Sequence, residues 1–282
     1  MDLNKIFHLY GPHTPEQIVV HNTSRGKDDY RMVHIVEYPS IGKTAIKIAK
    51  NSFTTPERVK GWAKLIEHYC SLGIYCPRII RNKNGEFCAI IDGYLVFAEE
   101  YVKYQTASRI DKCATGQHRY EQKLYESIGL VAANPAPSVP WHTAYCLYDK
   151  FDESEEYDEN YECALAIRDY YVNHIPKYAM QAKSLFDEYC RRREKFESRY
   201  RLLPKAVFQG DINESNILVT KDGDFAGMVD FNLSGTETIL NYAFCESFCS
   251  LDDDSQIDML LDTEALKKRD ARTAQRLGWI GK

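Results

Sequence analysis

Three polar residues, Asp211, Asn216 and Asp230, have types and spacing that suit phosphoryl transfer. A carboxylate and an amide oxygen are hard ligands for Mg2+, which takes its remaining ligands from water and substrate phosphates. A second carboxylate that does not bind the metal can accept the proton of an attacking hydroxyl. This chemistry requires that the fold bring the three side chains to one point.

A short hairpin is predicted to bring them together. Two apolar runs flank the turn "KDGD", and Asn216 and Asp230 are equally distant from Gly223 in that turn. In a hairpin folded there they become cross-strand neighbours at its open end. Asp211 lies five residues before Asn216, so a tight loop can bring it to the same end. The alternative is three surface turn residues with local hydrogen bonds.

A candidate ligand-binding lysine lies on an upstream strand. In "TAIKIAK" the alternation of a strand places Lys47 on the same face as Ala45 and Ala49. These small neighbours leave room for a ligand beside the ammonium group. The alternative is a lysine that keeps an edge strand soluble.

The elements that must position these residues divide the chain in two. Strand-like runs separated by turns extend from residue 17 to about 102 and predict an antiparallel sheet. One amphipathic helix interrupts them, with Thr55 as its cap, Pro56 in its first turn and Gly73 as its end. Helical patterns dominate after residue 104, so the fold class is α+β.

Composition limits the partners. The 282-residue chain is 44% hydrophobic and has a net charge of -5, which argues against a nucleic-acid partner bound through phosphate neutralisation. No signal peptide and no apolar run of about 18 residues is evident, which predicts no membrane partner. The nine cysteines have no metal-ligand spacing and predict reduced thiols in the cytoplasm.

The segments "QGDINESNILV" and "GMVDFN" resemble the catalytic and metal segments of the aminoglycoside phosphotransferase family. The resemblance implies a bilobal protein-kinase-like fold, with an antiparallel β N-lobe and one packed helix in residues 1–102. Residues 103–282 would form a mostly α-helical C-lobe. It also implies that Asp211 is the catalytic base or hydroxyl-orienting residue, and that Asn216 and Asp230 bind Mg2+.

The same resemblance implies a nucleotide site, with ATP or GTP as the phosphate donor. Lys47 would contact the nucleotide phosphates and would be held by a glutamate of the helix. Glu67 is the better candidate than Glu57, because it lies nearer the buried stripe, although it can equally be a surface partner of a helix lysine.

"FAEEYV" resembles the hinge between the lobes, where backbone groups of Glu100, Tyr101 and Val102 would bind adenine. "TSRGKDD" occupies the place of a phosphate-covering turn, although a plain hairpin turn explains it equally well. Two positions depart from the family pattern. Gln209 stands where most relatives have His, and Asn241 stands where an Asp is usual.

An acidic segment gives a possible indication of the charge of the phosphate acceptor. Residues 149–162 contain eight acidic residues, which could attract a cationic acceptor or simply form a solvated loop. A second acidic run, "LDDDSQID" from residue 251, has the same two readings. The predicted partner is a small molecule with a hydroxyl group, such as an aminoglycoside, an amino alcohol or a sugar.

The predicted function is Mg2+-dependent transfer of the γ-phosphate of ATP or GTP to that hydroxyl. A rival is a kinase-like binding module without catalysis, which the altered Gln209 position leaves open. A protein kinase is less favoured, because "DFN" replaces D-F-G and no A-P-E segment follows.

Overall fold

The computed structural model of the chain describes residues 1–110 and 119–243. It has two compact units, one of Met1–Val131 with Asp211–Asn232 and one of Ala132–Gly210 with the chain from Leu233. The lobes 1–102 and 103–282 stay a prediction. None of the described helices has the length and apolar character needed to cross a membrane.

The helices and strands of the described residues are numbered along the chain. The helices are α1 Leu3–Phe7, α2 Pro56–Ser71, α3 Glu121–Ala133, α4 Glu159–His174 and α5 Ala179–Tyr200. The strands are β1 Glu16–Asn22, β2 Tyr30–Tyr38, β3 Gly42–Lys50, β4 Ile79–Ile80, β5 Cys88–Ile91, β6 Tyr94–Glu100, β7 Gln105–Thr106, β8 Lys205–Phe208, β9 Ile217–Val219, β10 Phe225–Met228 and β11 Gly235–Thr238.

The first unit contains a six-stranded sheet in the order β1-β2-β3-β6-β4, with β5 also paired to β6. Every pairing in it is antiparallel, as the sequence predicts. Ile46 and Ile48 of β3 are 0% and 1% exposed in the core cluster. Because strand side chains alternate, Lys47 between them points to the other face of the sheet.

Helix α2 covers this sheet. The hydroxyl of Thr55 accepts a hydrogen bond from the backbone N-H of Arg58 at 3.3 Å, which caps the first turn. The helix ends shortly before Gly73, whose φ of +82° is a backbone conformation that glycine adopts without strain. Its buried stripe includes Val59, Trp62 and Ile66, and each such side chain contributes about 1.5–3 kcal/mol of stability by leaving water.

The predicted hairpin forms from β9 and β10, with Gly223 in the turn at φ +81°. Strand β10 contains a β-bulge between Phe225 and Gly227. At Gly227 a Cβ atom would lie 2.0 Å from the carbonyl oxygen of Tyr75, so only glycine allows this close approach. The next residue, Met228, donates its N-H to the same oxygen at 2.9 Å. The hairpin is therefore fixed to the loop that follows α2.

The second unit contains the antiparallel pair β8 and β11 and the packed helices α4 and α5. Asp158 caps α4 by accepting the N-H of Tyr161 at 2.9 Å, and it forms an ion pair with Arg193 of α5. The Arg193 guanidinium lies 4.4 to 5.6 Å from the ring centroids of Tyr148, Tyr161 and Tyr189. These contacts hold the two helices together.

Candidate functional site

The hairpin bulge sets the positions of the predicted metal ligands. The backbone oxygen of Asn216 accepts the N-H of Val229 at 2.9 Å, so Asn216 lies opposite Val229. The predicted direct pairing of Asn216 with Asp230 is therefore wrong by one residue, because the turn is centred on Asp222 and not on Gly223, with the N-H of Thr220 bonded to the oxygen of Asp224 at 2.9 Å. The bulge in β10 reduces the difference, since it moves the partner of Asn216 one residue toward Asp230. Asp230 itself has φ +58°, a left-handed conformation that ends the strand.

Asp211 and Asn216 are in direct contact in the loop before β9. The Asn216 side-chain nitrogen donates to the backbone oxygen of Asp211 at 3.1 Å. The Asn213 side-chain nitrogen donates to the Asp211 carboxylate at 2.5 Å. Because the amide nitrogen of Asn216 is used in this way, its side-chain oxygen is directed elsewhere and keeps acceptor capacity for a cation.

The pKa of the Asp211 carboxyl group reflects its burial and its neighbours, one of which is Asp230. Burial raises the pKa of the Asp211 carboxyl, and hydrogen bonds from Asn213 act in the opposite direction. The negative charge of Asp230 adds to the rise. A raised pKa makes the Asp211 carboxylate a stronger base, which suits a group that accepts a proton.

Lys47 links strand β3 to the hairpin. Its Nζ lies 2.9 Å from Oε2 of Glu99 and 3.7 Å from Oδ1 of Asp230. Burial lowers the pKa of Lys47, but the charges of Glu99 and Asp230 more than offset that effect and raise the pKa to about 12. The ammonium group is therefore charged, and it lies beside one of the two residues predicted to bind Mg2+.

The structure corrects the expected pairing of Lys47 with Glu67. Glu67 is exposed on helix α2, as is Glu57, whereas the carboxylate at Lys47 comes from Glu99 of β6. The physical reason is helix geometry, because Glu67 follows the buried Ile66 and is rotated about 100° away from it. A sequence signal was available, since Glu99 directly follows an apolar run in β6. It is itself buried, unlike an ordinary charged residue at the end of a strand.

A cavity of about 230 Å³ in the first unit is lined by Lys47, Glu99 and Asp230. Arg25 and Arg31, from the connection between β1 and β2 and the start of β2, also line it. Arg31 has a carboxylate partner outside this wall, so the wall carries no clear excess of either charge. The cationic side chains of Lys47 and Arg25 still suit phosphate groups, and Arg25 belongs to the segment "TSRGKDD" that the resemblance compares with a phosphate-covering turn.

The predicted hinge residues lie at the end of β6. The Glu100 N-H donates to the carbonyl oxygen of Arg78 at 2.9 Å, and the ladder of β6 ends there. The backbone groups of Tyr101 and Val102 therefore lie beyond the paired part of the sheet. These three residues are not part of the wall of the 230 Å³ cavity, and their contact with adenine stays a prediction.

The donor groups fit a hard divalent cation. Asn216 supplies an amide oxygen and Asp230 a carboxylate that is 40% exposed. Within residues 1–110 and 119–243, no group of three or more His, Cys, Asp or Glu could hold a metal ion. Mg2+ is usually bound by one or two protein oxygens together with substrate phosphates, which matches this small set. The assignment of both ligands stays a prediction.

The two departures from the family pattern are buried. Gln209 is 0% exposed, and Gly210 after it has φ +92° with the carbonyl oxygen of Leu233 only 2.1 Å from an added Cβ. Asn241 is 9% exposed and donates its side-chain N-H to Glu237 at 3.0 Å. Both amides therefore belong to the packed interior of the second unit.

Most carboxylates of the acidic segment 149–162 have internal partners. Asp149 pairs with Arg201 at 2.6 Å, and backbone N-H groups donate to Asp152, Glu155, Asp158, Glu159 and Glu162. Glu153 and Glu156 are exposed. The segment is thus largely structural, but carboxylates that accept only backbone N-H groups keep their charge, and the attraction of a cation by this segment stays a prediction. The run from residue 251 lies outside the described residues.

A second cavity, of about 510 Å³, lies between α4 and α5. Its wall is mainly aliphatic and aromatic, including Tyr171, Phe186 and Tyr189, and it contains no carboxylate. Among the described residues, its polar lining groups are Arg168, Gln181 and tyrosine hydroxyls, so it offers no carboxylate as a proton acceptor. The groups suited to phosphoryl transfer therefore lie in the first unit.

Comparison with known proteins identifies the fold. Neither a protein-family model nor a curated protein matches the sequence. The GDP and kanamycin complex of APH(2")-IIia is 12% identical with a TM-score of 0.55, over 98% of this chain and 82% of its own. Amicoumacin kinase hAmiN, with AMP-PNP and Ca2+, is 14% identical with a TM-score of 0.56, over 97% of this chain and 76% of its own.

Spectinomycin phosphotransferase APH(9)-Ia, in complex with ADP and spectinomycin, is 11% identical with a TM-score of 0.56, over 99% of this chain and 79% of its own. The predicted α+β fold of protein-kinase-like type is therefore confirmed, and it is the fold of aminoglycoside phosphotransferases and related small-molecule kinases. At this level of identity the likeness defines the fold, and the reaction must be argued from the residues.

Proposed function

We propose that this chain is a Mg2+-dependent phosphotransferase that moves the γ-phosphate of ATP or GTP to a hydroxyl group of a small molecule. The contact of Lys47 with Asp230 carries the proposal. It joins the lysine expected at the nucleotide phosphates to the hairpin that holds the expected metal ligand and base. A surface lysine and a turn aspartate would have no reason to meet at the wall of a cavity.

In this proposal the first unit binds the nucleotide. Lys47 and Arg25 contact its phosphates, and the backbone at Glu100, Tyr101 and Val102 binds its base. Asn216 and Asp230 hold Mg2+, which when bound neutralises charge on the transferred phosphoryl group.

Asp211 orients the acceptor hydroxyl and takes its proton. The hydroxyl oxygen forms a bond to the γ-phosphorus while the bond from that phosphorus to the bridging oxygen of the β-phosphate breaks. Positioning of the two reacting groups supplies most of the rate acceleration in such transfers. The raised pKa of Asp211 supports its role as proton acceptor.

The acceptor is a small molecule with a hydroxyl group, and a cationic aminoglycoside is the first class to test. Neighbouring structures contain kanamycin and spectinomycin, and this chain has a net charge of -5, which favours cations. Amino alcohols and sugars follow. Nucleic acids and membranes are not among the proposed partners, and the proposed location is the cytoplasm.

Thermal unfolding tests the nucleotide and metal sites. We expect ATP or GTP to raise the midpoint only when Mg2+ is present, by the equivalent of about 2.7 kcal/mol at a concentration of 100 Kd. Asp230→Ala should abolish this rise. Asp224→Ala, on the same hairpin but paired with Arg119, should keep it. An unchanged midpoint of the native protein with both nucleotides would refute the proposal.

Transfer is then measured directly by mass spectrometry of the acceptor. Native protein with Mg2+ and nucleotide should add one phosphoryl group to an aminoglycoside, an amino alcohol or a sugar. Nucleotide binding without transfer to any of them would favour the non-catalytic module that Gln209 leaves open. Phosphorylated peptides in place of small molecules would favour a protein kinase.

A further inference from the structure

The carboxylate nearest to Lys47 belongs to the same sheet as the lysine. Nζ of Lys47 lies 2.9 Å from Glu99 and 3.7 Å from Asp230. The side chain of Glu99 is 11% exposed, against 40% for Asp230. The closer and more buried partner is thus Glu99, and it also lines the cavity.

The pairing of β3 with β6 explains this contact. Lys47 lies opposite Phe97, and its ammonium group is 5.7 Å from the centroid of that ring. Glu99 is two residues further along β6 and therefore projects from the same face of the sheet. It lies opposite Ala45, whose small side chain leaves room for the carboxylate to reach Lys47 diagonally.

Helix α2 cannot supply a carboxylate at this point. Its two acidic residues, Glu57 and Glu67, are both exposed. The helix residue that lines the cavity is Trp62, which is 2% exposed and has its ring centroid 5.8 Å from that of Phe97. The helix therefore presents an indole, and not a carboxylate, to the cavity that Lys47 lines.

We propose that Glu99 is the positioning residue for Lys47, holding its ammonium group at the phosphate end of the cavity in place of a helix carboxylate. This assignment rests on the proposed function. Because the two residues are on hydrogen-bonded strands, the sheet sets their separation, and the placement of Lys47 does not depend on how α2 is docked.

Glu99 also competes with Asp230 for the lysine. Lys47 lies between the two carboxylates, so the loss of the Glu99 charge leaves Asp230 as its nearest anionic partner. An ammonium group drawn onto Asp230 would leave the nucleotide phosphates and occupy a residue expected to bind Mg2+. Glu99 therefore limits how closely the lysine approaches the expected metal ligand, which lies at 3.7 Å against 2.9 Å for Glu99.

The test compares binding of a nucleotide and its nucleoside, without turnover. Kd is measured by calorimetry without acceptor for ATP or GTP, whichever the native protein binds, and for adenosine or guanosine. In Glu99→Gln we expect nucleotide affinity to fall at least about tenfold, the effect of losing a charge-assisted hydrogen bond, with nucleoside affinity unchanged. Glu67→Gln, the matched helix control, should change neither value.

A comparison within the Lys47→Met background covers the case in which Glu99→Gln alone folds poorly, because the double variant leaves no unpaired charge of this pair buried. Lys47→Met removes the ammonium charge alone. The double variant, Lys47→Met with Glu99→Gln, removes both charges of the pair. If Glu99 acts through Lys47, the second substitution should leave the nucleotide affinity of Lys47→Met unchanged. A further fall in the double variant would overturn the assignment.

Other outcomes separate this assignment from the proposed function. Native protein that binds nucleotide, with Glu99→Gln binding it equally well, would overturn the assignment alone. An equal fall in affinity for nucleotide and nucleoside would show that Glu99 supports the binding of the base or the cavity wall. That result would also overturn the assignment. Native protein that binds no nucleotide would remove the proposed function and the assignment together.

Discussion

Two ion pairs with little exposure, one in each unit, differ in what surrounds them. Arg193 and Asp158 are 14% and 3% exposed, and Lys47 and Glu99 are 21% and 11% exposed. Three tyrosine rings surround Arg193, and Asp158 also caps a helix. Lys47 and Glu99 instead line a cavity that a second, partly exposed carboxylate shares.

This difference separates a structural pair from a candidate site. A buried ion pair is weak evidence of stability or function by itself, because desolvation offsets most of the attraction. The pair of the second unit has additional partners that fix it in place. In the first unit the charges face space that a ligand can occupy, and only there do a proposed base and metal ligands lie close by.

The largest effect is expected from Asp211→Asn, which removes the proposed proton acceptor. Turnover should fall by about 10²- to 10⁴-fold, the usual contribution of general acid-base catalysis, while nucleotide affinity is retained. Steady-state kinetics and calorimetry measure the two quantities. Asp222→Asn, in the exposed turn of the same hairpin, is the control and should keep full turnover. Undiminished turnover in Asp211→Asn would contradict its role.

Arg193→Met tests the structural pair. It leaves the buried Asp158 without its cation and should lower the free energy of unfolding by about 3–5 kcal/mol. Urea denaturation measures this, and Arg191→Met, which breaks an exposed pair with Glu188, should have a much smaller effect because solvent screens that pair. Equal effects of the two substitutions would mean that burial of the Arg193 pair has no energetic consequence.

Gly227→Ala tests how the hairpin is held in the first unit. The added methyl group would meet the carbonyl oxygen of Tyr75, and the displacement of β10 should cost about 1–3 kcal/mol of unfolding free energy. It should also reduce the Mg2+-dependent nucleotide shift, because β10 leads to Asp230. Ala226→Ser, at the neighbouring residue, should change stability by less than about 0.5 kcal/mol. Equal stability of the two variants would show that the close approach is unimportant.

The smallest expected effect is that stability depends on pH in opposite directions through Asp149 of the second unit and Asp211 of the first. Burial acts to raise the pKa of Asp149, but the hydrogen bond from Arg201 prevails and the pKa lies below the usual 3.8. The ionised Asp149 therefore stabilises the fold near neutral pH, and this contribution is lost as pH falls through the lowered pKa. The pKa of Asp211 is raised above 3.8, mainly by burial, so its contribution is lost as pH rises through the interval up to the folded value.

Denaturation of the two Asp→Asn variants at several pH values measures this difference. Near neutral pH, the free energy of unfolding of Asp149→Asn should be lower than that of the native protein. In acid the two values should become similar. Asp211→Asn should gain stability near neutral pH, by about 1.4 kcal/mol for each unit of pKa shift removed. The same sign of change in both variants would contradict the opposite pKa directions.

The sequence predicted local elements well. The cap at Thr55, the end of α2 near Gly73 and the turn at Gly223 each depend on residues close together in the chain, and all three occur as predicted. The alternation in β3 correctly placed Lys47 opposite to the core isoleucines. Such features follow from backbone preference and side-chain period, which a few adjacent residues are enough to express.

One error is local and the other involves residues far apart in the chain. The hairpin register differs by one residue because the turn is centred on Asp222, one residue before Gly223, and the bulge in β10 offsets only part of that difference. The partner of Lys47 is Glu99 and not Glu67, because β3 pairs with β6 across more than forty residues, and Trp62 fills the helix side.

The sequence by itself determined the class of fold, the lysine strand and the hairpin that carries Asp211, Asn216 and Asp230, because each has a local signature. Only the tertiary structure decided which charges meet. An ion pair depends on strand order and on what else fills the cavity, and those are set by packing between distant segments. The proposed role of Glu99 is therefore a property of the folded sheet.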